Sequence, residues 1–140
     1  METRGLRTLT RAIECCQAGT VQLLVAEKIG CEDAKKLIAL PYAEYLGELS
    51  REESLATYYR THLAFTFYDP RMEINRIAEP NKWVDFVATG TPFITNTEVQ
   101  TAGKYLKNNQ CLAVAYSDHE GLAQLLSIPS RQVVCSQTVD

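Results

Sequence analysis

Three side chains in the segment EPNKWVDFVATGTPFIT, residues 79–95, have types and spacing that could do chemistry: Asn81, Lys82 and Asp85. Pro80 suits the first turn of a helix, because its φ is already helical and the N–H it lacks would be unpaired there. Gly90 and Pro92 end that helix, which is predicted over 80–89. Asn81 and Lys82 then sit where free backbone amides and the positive end of the helix dipole favour an anion, and Lys82 adds a full charge. Phosphate is the natural guest. Asp85 follows Lys82 by three residues on the same helical face, where a carboxylate can accept two hydrogen bonds from the hydroxyls of a ribose. The plainer reading is a surface Lys82–Asp85 ion pair worth about 0.5 kcal/mol. Spacing alone favours the plainer reading.

Other constellations carry less. Ser117, Asp118 and His119 are consecutive, whereas catalytic triads are assembled from distant segments, so a helix cap is the better role. The sequence has no G-x-S-x-G, Walker A or G-x-G-x-x-G motif, which argues against hydrolase, P-loop and dinucleotide oxidoreductase chemistry. The aromatic residues Tyr58, Tyr59, Phe65, Phe67 and Tyr68 could stack on a base, but their positions suit a core, and Trp83 suits packing of its helix on a sheet. The five cysteines show no C-x-x-C spacing, and His62 and His119 are far from each other, so reduced thiols fit better than disulfides or a zinc site.

The elements that must position these residues alternate. Residues 5–18 place Leu6, Leu9, Ile13 and Cys16 on one helical face, and VQLLVAE at 21–27 is an apolar run of strand length. A helix at 31–39, a short strand at 43–48 and a helix at 51–61 follow. Ser50 stands three residues before Glu53, the spacing of a capping box; Glu52 and Glu53 are otherwise a solvated helix start. LAFTFYD at 63–69 is the strongest strand, 71–79 reads as a loop, and strands at 92–96 and 111–116 flank a helix near 97–107. A last helix runs from the Ser117-Asp118 cap to about 127. Five strands alternating with helices predict an α/β, Rossmann-like, doubly wound parallel sheet with helices on both faces. The domain is expected over 1–129, with 130–140 an irregular tail. The alternation opens on a helix, so the first, central strand is expected to be missing. The strands at 21–27 and 63–69 should then pair directly, or Gln132–Val139 of this or a neighbouring chain should fill the gap.

The chain has 140 residues with 14 basic and 17 acidic side chains, a net charge of −3, and 46% hydrophobic and 22% charged residues. That is one globular domain's worth of sequence with no general attraction for polyanions, so nucleic acid is not expected as a partner. No apolar run approaches the roughly 20 residues needed to span a bilayer, and METRGLRTLT lacks the apolar stretch of a signal peptide. A cytoplasmic protein with no transmembrane segment is expected.

The segment PNKWVDFVATGTPFI resembles the donor-binding signature of GT-B glycosyltransferases, in particular the bacterial retaining enzymes of the group 1, family 4 type. Upstream, RGL at 4–6 is similar to that family's opening of its first helix, EYLGELSREESLATYYRTHLAF to its strand-turn-helix, and YDPRMEINRIAEPNK to the loop before the motif. The resemblance covers residues 4 to about 128 and implies the C-terminal half of such an enzyme, the half that binds a nucleoside-diphosphate sugar as donor. It implies that Lys82, Asn81 and Arg4 hold the diphosphate, that Asp85 binds the ribose, and that Gly47 and Leu49 form the base-binding turn. The family's sugar-contacting glutamate falls at Ile77, leaving Glu73 and Glu79 as carboxylates near the sugar. No Asp-x-Asp pair is present, so helix dipole and Lys82 are expected to neutralise the diphosphate without a metal or other cofactor. The family's acceptor-binding N-terminal domain is not expected within these residues, so the isolated chain would not transfer sugar. An acceptor domain, a partner chain or a second copy would complete it. The alternative is a truncated or repurposed α/β module that acts through protein contacts.

Overall fold

Apolar runs of strand length become buried strands here because helices cover them from two sides. The computed structural model describes residues 5–17, 21–26, 32–77, 80–107, 110–127 and 131–136. Val21–Ala26 (β1) is buried at every position but Gln22, and Leu63–Phe65 (β3) and Phe93–Asn96 (β4) are buried throughout. Ala43–Tyr45 (β2) pairs parallel with β1, and Cys111–Val114 (β5) pairs parallel with β4, which in turn pairs with β3. These are two groups of parallel strands. The residues between them in space are Arg131–Ser136 (β6), parallel to both, with Val133 opposite Leu23 of β1 and Leu63 of β3.

The segment expected as an irregular tail therefore contains a strand, and the place between β1 and β3, where a gap was expected, is filled by this same chain. The strand order is β2-β1-β6-β3-β4-β5. Counted from β6, it is the 3-2-1-4-5-6 order of a Rossmann-like sheet. The reason is the unpaired edges that β1 and β3 would otherwise present to each other, which the β-prone Val133-Val134 pair can satisfy without a new crossover rule.

Leu6–Glu14 (α1), Glu32–Ile38 (α2) and His119–Leu126 (α7) cover one face, where Leu9, Leu37 and Leu126 meet Leu23, Phe65 and Ile94. Arg51–Tyr59 (α3), Asn81–Thr89 (α5) and Gly103–Lys107 (α6) cover the other, where Tyr58, Trp83, Phe86 and Tyr105 meet Leu24, Ala64 and Phe93. Trp83 is fully buried, stacked on Phe93 at 5.2 Å, and its indole N–H donates to Thr66 Oγ1 at 3.2 Å. Of the aromatic cluster, Tyr59 is an exception to the core reading at 72% exposed.

Three elements differ from expectation. The ladder of β3 stops short of residue 69 because the side chain of Asn96 replaces a strand partner, taking both the N–H and the C=O of Tyr68. Within the segment read as a loop, Glu73–Ile77 (α4) forms one short helix. It has no buried residue, so no apolar period announces it, and it is started by a turn in which Met72 N donates to Asp69 O across Pro70. The helix expected near 97–107 is a 3-10 turn, Gln100–Ala102, running into α6.

Candidate functional site

Every helix that follows a strand in this parallel arrangement starts at the C-terminal edge of the sheet, which is where open α/β sheets take ligands. Four starts matter. α5 follows β3; Pro80 is its N-cap, with no side-chain cap on the first-turn amides. Asn81 beside it is exposed, whereas Lys82 is only 6% exposed, so the lysine stem lies in the protein, where a charge persists only when it is compensated.

α3 follows β2 through a turn in which Gly47 takes φ +75° and Leu49 is half-buried. Its cap is the anticipated box: Ser50 Oγ accepts from Glu53 N at 3.1 Å, and Glu53 Oε1 accepts from Ser50 N at 3.1 Å. The next residue, Arg51, reaches across to α5 and forks onto Asp85, donating from Nη2 to Oδ1 at 3.0 Å and from Nη1 to Oδ2 at 3.3 Å. Asp85 is thus held from α3 by a residue that the sequence did not mark. The same fork brings the Gly47–Leu49 turn and Asp85 into one neighbourhood.

α1 enters at the same edge. Gly5, at φ +70°, caps it, and a Cβ there would lie 2.7 Å from Phe67 Cδ2. Its N–H donates to the Tyr116 hydroxyl at 3.0 Å, and Thr8 Oγ1 donates to Tyr116 O at 2.9 Å. Arg4 and Glu79 lie outside the described residues. Glu73 is exposed on α4. α7 starts at Asp118, whose carboxylate accepts from Gly121 N at 2.9 Å, so the Ser117-Asp118-His119 run contains a cap.

Buried polar groups that the motifs did not reveal link the ends of β3 and β4 to Tyr116, the partner of the start of α1. Asn96, fully buried, accepts from Tyr68 N at 2.8 Å and donates to Tyr68 O at 2.9 Å and to Glu98 Oε1 at 3.1 Å. Glu98 in turn accepts from Tyr116 N at 3.2 Å. Asp69, fully buried, accepts from the N–H of Arg71 at 2.9 Å and from its guanidinium, with Nη2 to Oδ2 at 2.6 Å. That guanidinium holds the Asp69 carboxyl below its ordinary range, against the opposing pull of burial. The signals available in sequence were the Asp-Pro turn after the strongest strand and a polar Asn ending the apolar PFIT run.

Among the described residues, no three His, Cys, Asp or Glu side chains gather as a metal site, and no helix is long and apolar enough to cross a membrane. Burial pushes the Cys111 thiol up to about 12, which leaves it un-ionised and a poor nucleophile. An apolar surface groove of about 410 Å³ between α5 and α6, lined by Val84, Val87, Ala88, Lys104, Tyr105 and Gln110, contains none of the candidate residues.

No family model, curated protein or solved structure matches the chain.

Proposed function

We propose that the C-terminal edge of this sheet binds a nucleoside-diphosphate sugar, as the donor half of a GT-B-like glycosyltransferase. The observation that supports this best is the placement of α5. Counted from β6, the order of the strands reverses between β6 and β3, and α1 and α5 start on opposite faces of that switch point. Lys82 and the first-turn amides of α5 stand at that edge and are assigned to the diphosphate, with Arg4 preceding α1 in sequence. Asp85 is assigned to the ribose hydroxyls, the Gly47–Leu49 turn to the base, and Glu73 or Glu79 to the sugar.

In glycosyl transfer the bond between the anomeric carbon and the diphosphate oxygen breaks, and the electron pair stays on the diphosphate. Fixed donors aimed at that growing charge lower the barrier. This half supplies them, and an acceptor domain, a partner chain or a second copy supplies the nucleophile. A cytoplasmic setting, peripheral to a membrane in a longer enzyme, fits this reading.

Isothermal titration with UDP, GDP and TDP to millimolar concentration tests it. We expect at least one to bind, and Lys82→Met, which keeps the buried stem, to weaken it about tenfold or more, with circular dichroism checking that the variant is folded. No binding by the parent protein, or binding indifferent to Lys82→Met, overturns the proposal. A second reading, a module acting through protein contacts, is favoured by the exposed Ile74 and Ile77 of α4 and Val84 of α5, at 67%, 61% and 60%. It predicts self-association on light scattering and no nucleotide binding.

A further inference from the structure

We infer that the groove between α5 and α6 binds a long-chain carboxylate as a single amphiphilic molecule, at a site that shares no residue with the one proposed for the nucleotide. α5 is apolar on two sides. Trp83 and Phe86 are buried against the sheet, as the core side of a surface helix requires, yet Val84 and Val87, on the side that solvent should make polar, are 60% and 38% exposed. With Ala88 they form a stripe at the three- and four-residue spacing of neighbours on one helical face. That stripe, with Lys104, Tyr105 and Gln110 opposite, encloses about 410 Å³, a volume typical of small-ligand sites.

Exposed apolar surface marks a place of contact, and here the charges say with what. Lys104 is the one charged side chain among the six that line the groove, and its ammonium is held over the Tyr105 ring, 5.1 Å from the centroid. Lys107 follows on α6, which carries no acidic residue, and the one acid of α5, Asp85, is taken by the Arg51 fork. A chain of net charge −3 thus has apolar walls beside a local excess of positive charge. An alkyl tail answers the walls and a carboxylate answers the lysines. Two copies meeting groove to groove would bring these lysines towards their own counterparts, which disfavours a second copy as the occupant. Six lining residues are also far fewer than the about 20–30 a side of a stable protein interface. Tyr105 is buried beneath the groove, and its ring meets that of Trp83 edge to face at 5.3 Å, so an occupant lies one ring away from the only tryptophan.

The test titrates octanoate, decanoate and dodecanoate, each below its micelle-forming concentration, into the full chain and follows the emission of Trp83. Decyltrimethylammonium is the cationic match for decanoate. The carboxylates are expected to bind saturably and to tighten about two- to fourfold with each added methylene, fourfold being the effect of burying one completely. Lys104→Gln should weaken decanoate about three- to fivefold, the effect of an exposed ion pair, and narrow its advantage over the cation. Val87→Asp and the more exposed Val84→Asp should abolish binding, with circular dichroism checking the fold. Absence of saturable carboxylate binding overturns the inference. Decanoate binding that survives both aspartate variants puts the ligand elsewhere, and binding that the cation equals and Lys104→Gln leaves unchanged makes the groove an unselective apolar surface; either result overturns it. Co-sedimentation with phosphatidylglycerol vesicles without binding of monomeric decanoate makes this face a membrane contact, and overturns it too. Failure of UDP, GDP and TDP to bind would remove the nucleotide reading and leave this one standing.

Discussion

Replacing Gly5 by alanine should be among the most destabilising single-methyl changes in this protein, and the reason divides into two measurable parts. At φ +70° an alanine takes on the left-handed cost, about 1–2 kcal/mol. Its Cβ would also lie 2.7 Å from Phe67 Cδ2 and 2.8 Å from Phe67 Cβ. Phe67 cannot swing aside, because it is 1% exposed, stacked on Phe65 at 4.5 Å and lies 5.9 Å from the ring of Tyr116. Overpacking of that kind costs about 1–3 kcal/mol. The expected total is about 2–5 kcal/mol, a large share of the about 5–15 kcal/mol that holds a domain together. Gly90 supplies the control: it has φ +69° but nothing within 4 Å of a built Cβ, so Gly90→Ala should cost only the backbone part, about 1–2 kcal/mol. Urea unfolding followed by the fluorescence of Trp83, the only tryptophan and fully buried, reads both variants. If Gly5→Ala loses no more stability than Gly90→Ala, α1 does not enter against Phe67 and the described edge is wrong.

Two further outcomes test the buried polar groups behind the site. Asn96→Ala removes three hydrogen bonds and strands the buried N–H of Tyr68, and should cost about 2–4 kcal/mol in the same urea assay; a loss under 1 kcal/mol would mean that Asn96 does not hold the end of β3. Asp69 is held below the usual carboxylate range by Arg71, so its ionised form favours the folded state. That contribution is complete above the unfolded value, near pH 4, and is lost as pH falls through the lower folded value. The stability gap between the parent and Asp69→Asn should accordingly be constant above about pH 5 and shrink below about pH 4. A gap that widens on acidification contradicts the Arg71 pairing.

Much of the frame was legible because local rules and tertiary needs agree. The capping box at Ser50 and Glu53 forms as its spacing dictates, and the terminating role of Gly90 follows from its left-handed φ. Trp83 packs on the sheet because the helix that carries it has its buried stripe there. The site was legible only in part. Lys82 and Asn81 are local features of one helix start and could be read from sequence. The partner of Asp85 is 34 residues upstream, and a three-residue spacing on α5 pointed to Lys82 as its partner while the structure gives Asp85 the Arg51 fork. The partner of the Tyr68 N–H and C=O lies 28 residues downstream in Asn96, which no local period marks.

The amino-acid order by itself determined most of the segments that become strands and helices, α4 and β6 excepted, because apolar period, caps and Gly or Pro stops act over a few residues. Only the tertiary structure decided how those strands are arranged. Val133 and Val134 have strand propensity wherever they stand, and nothing local says that they belong between β1 and β3 instead of on an outer edge or in a tail. That choice depends on two buried edges, more than 60 residues away in sequence, each needing the same hydrogen-bond partner. It is the pairing of distant backbone, not the propensity of any residue, that restores the central strand and with it the switch point at which the helices α1 and α5 begin.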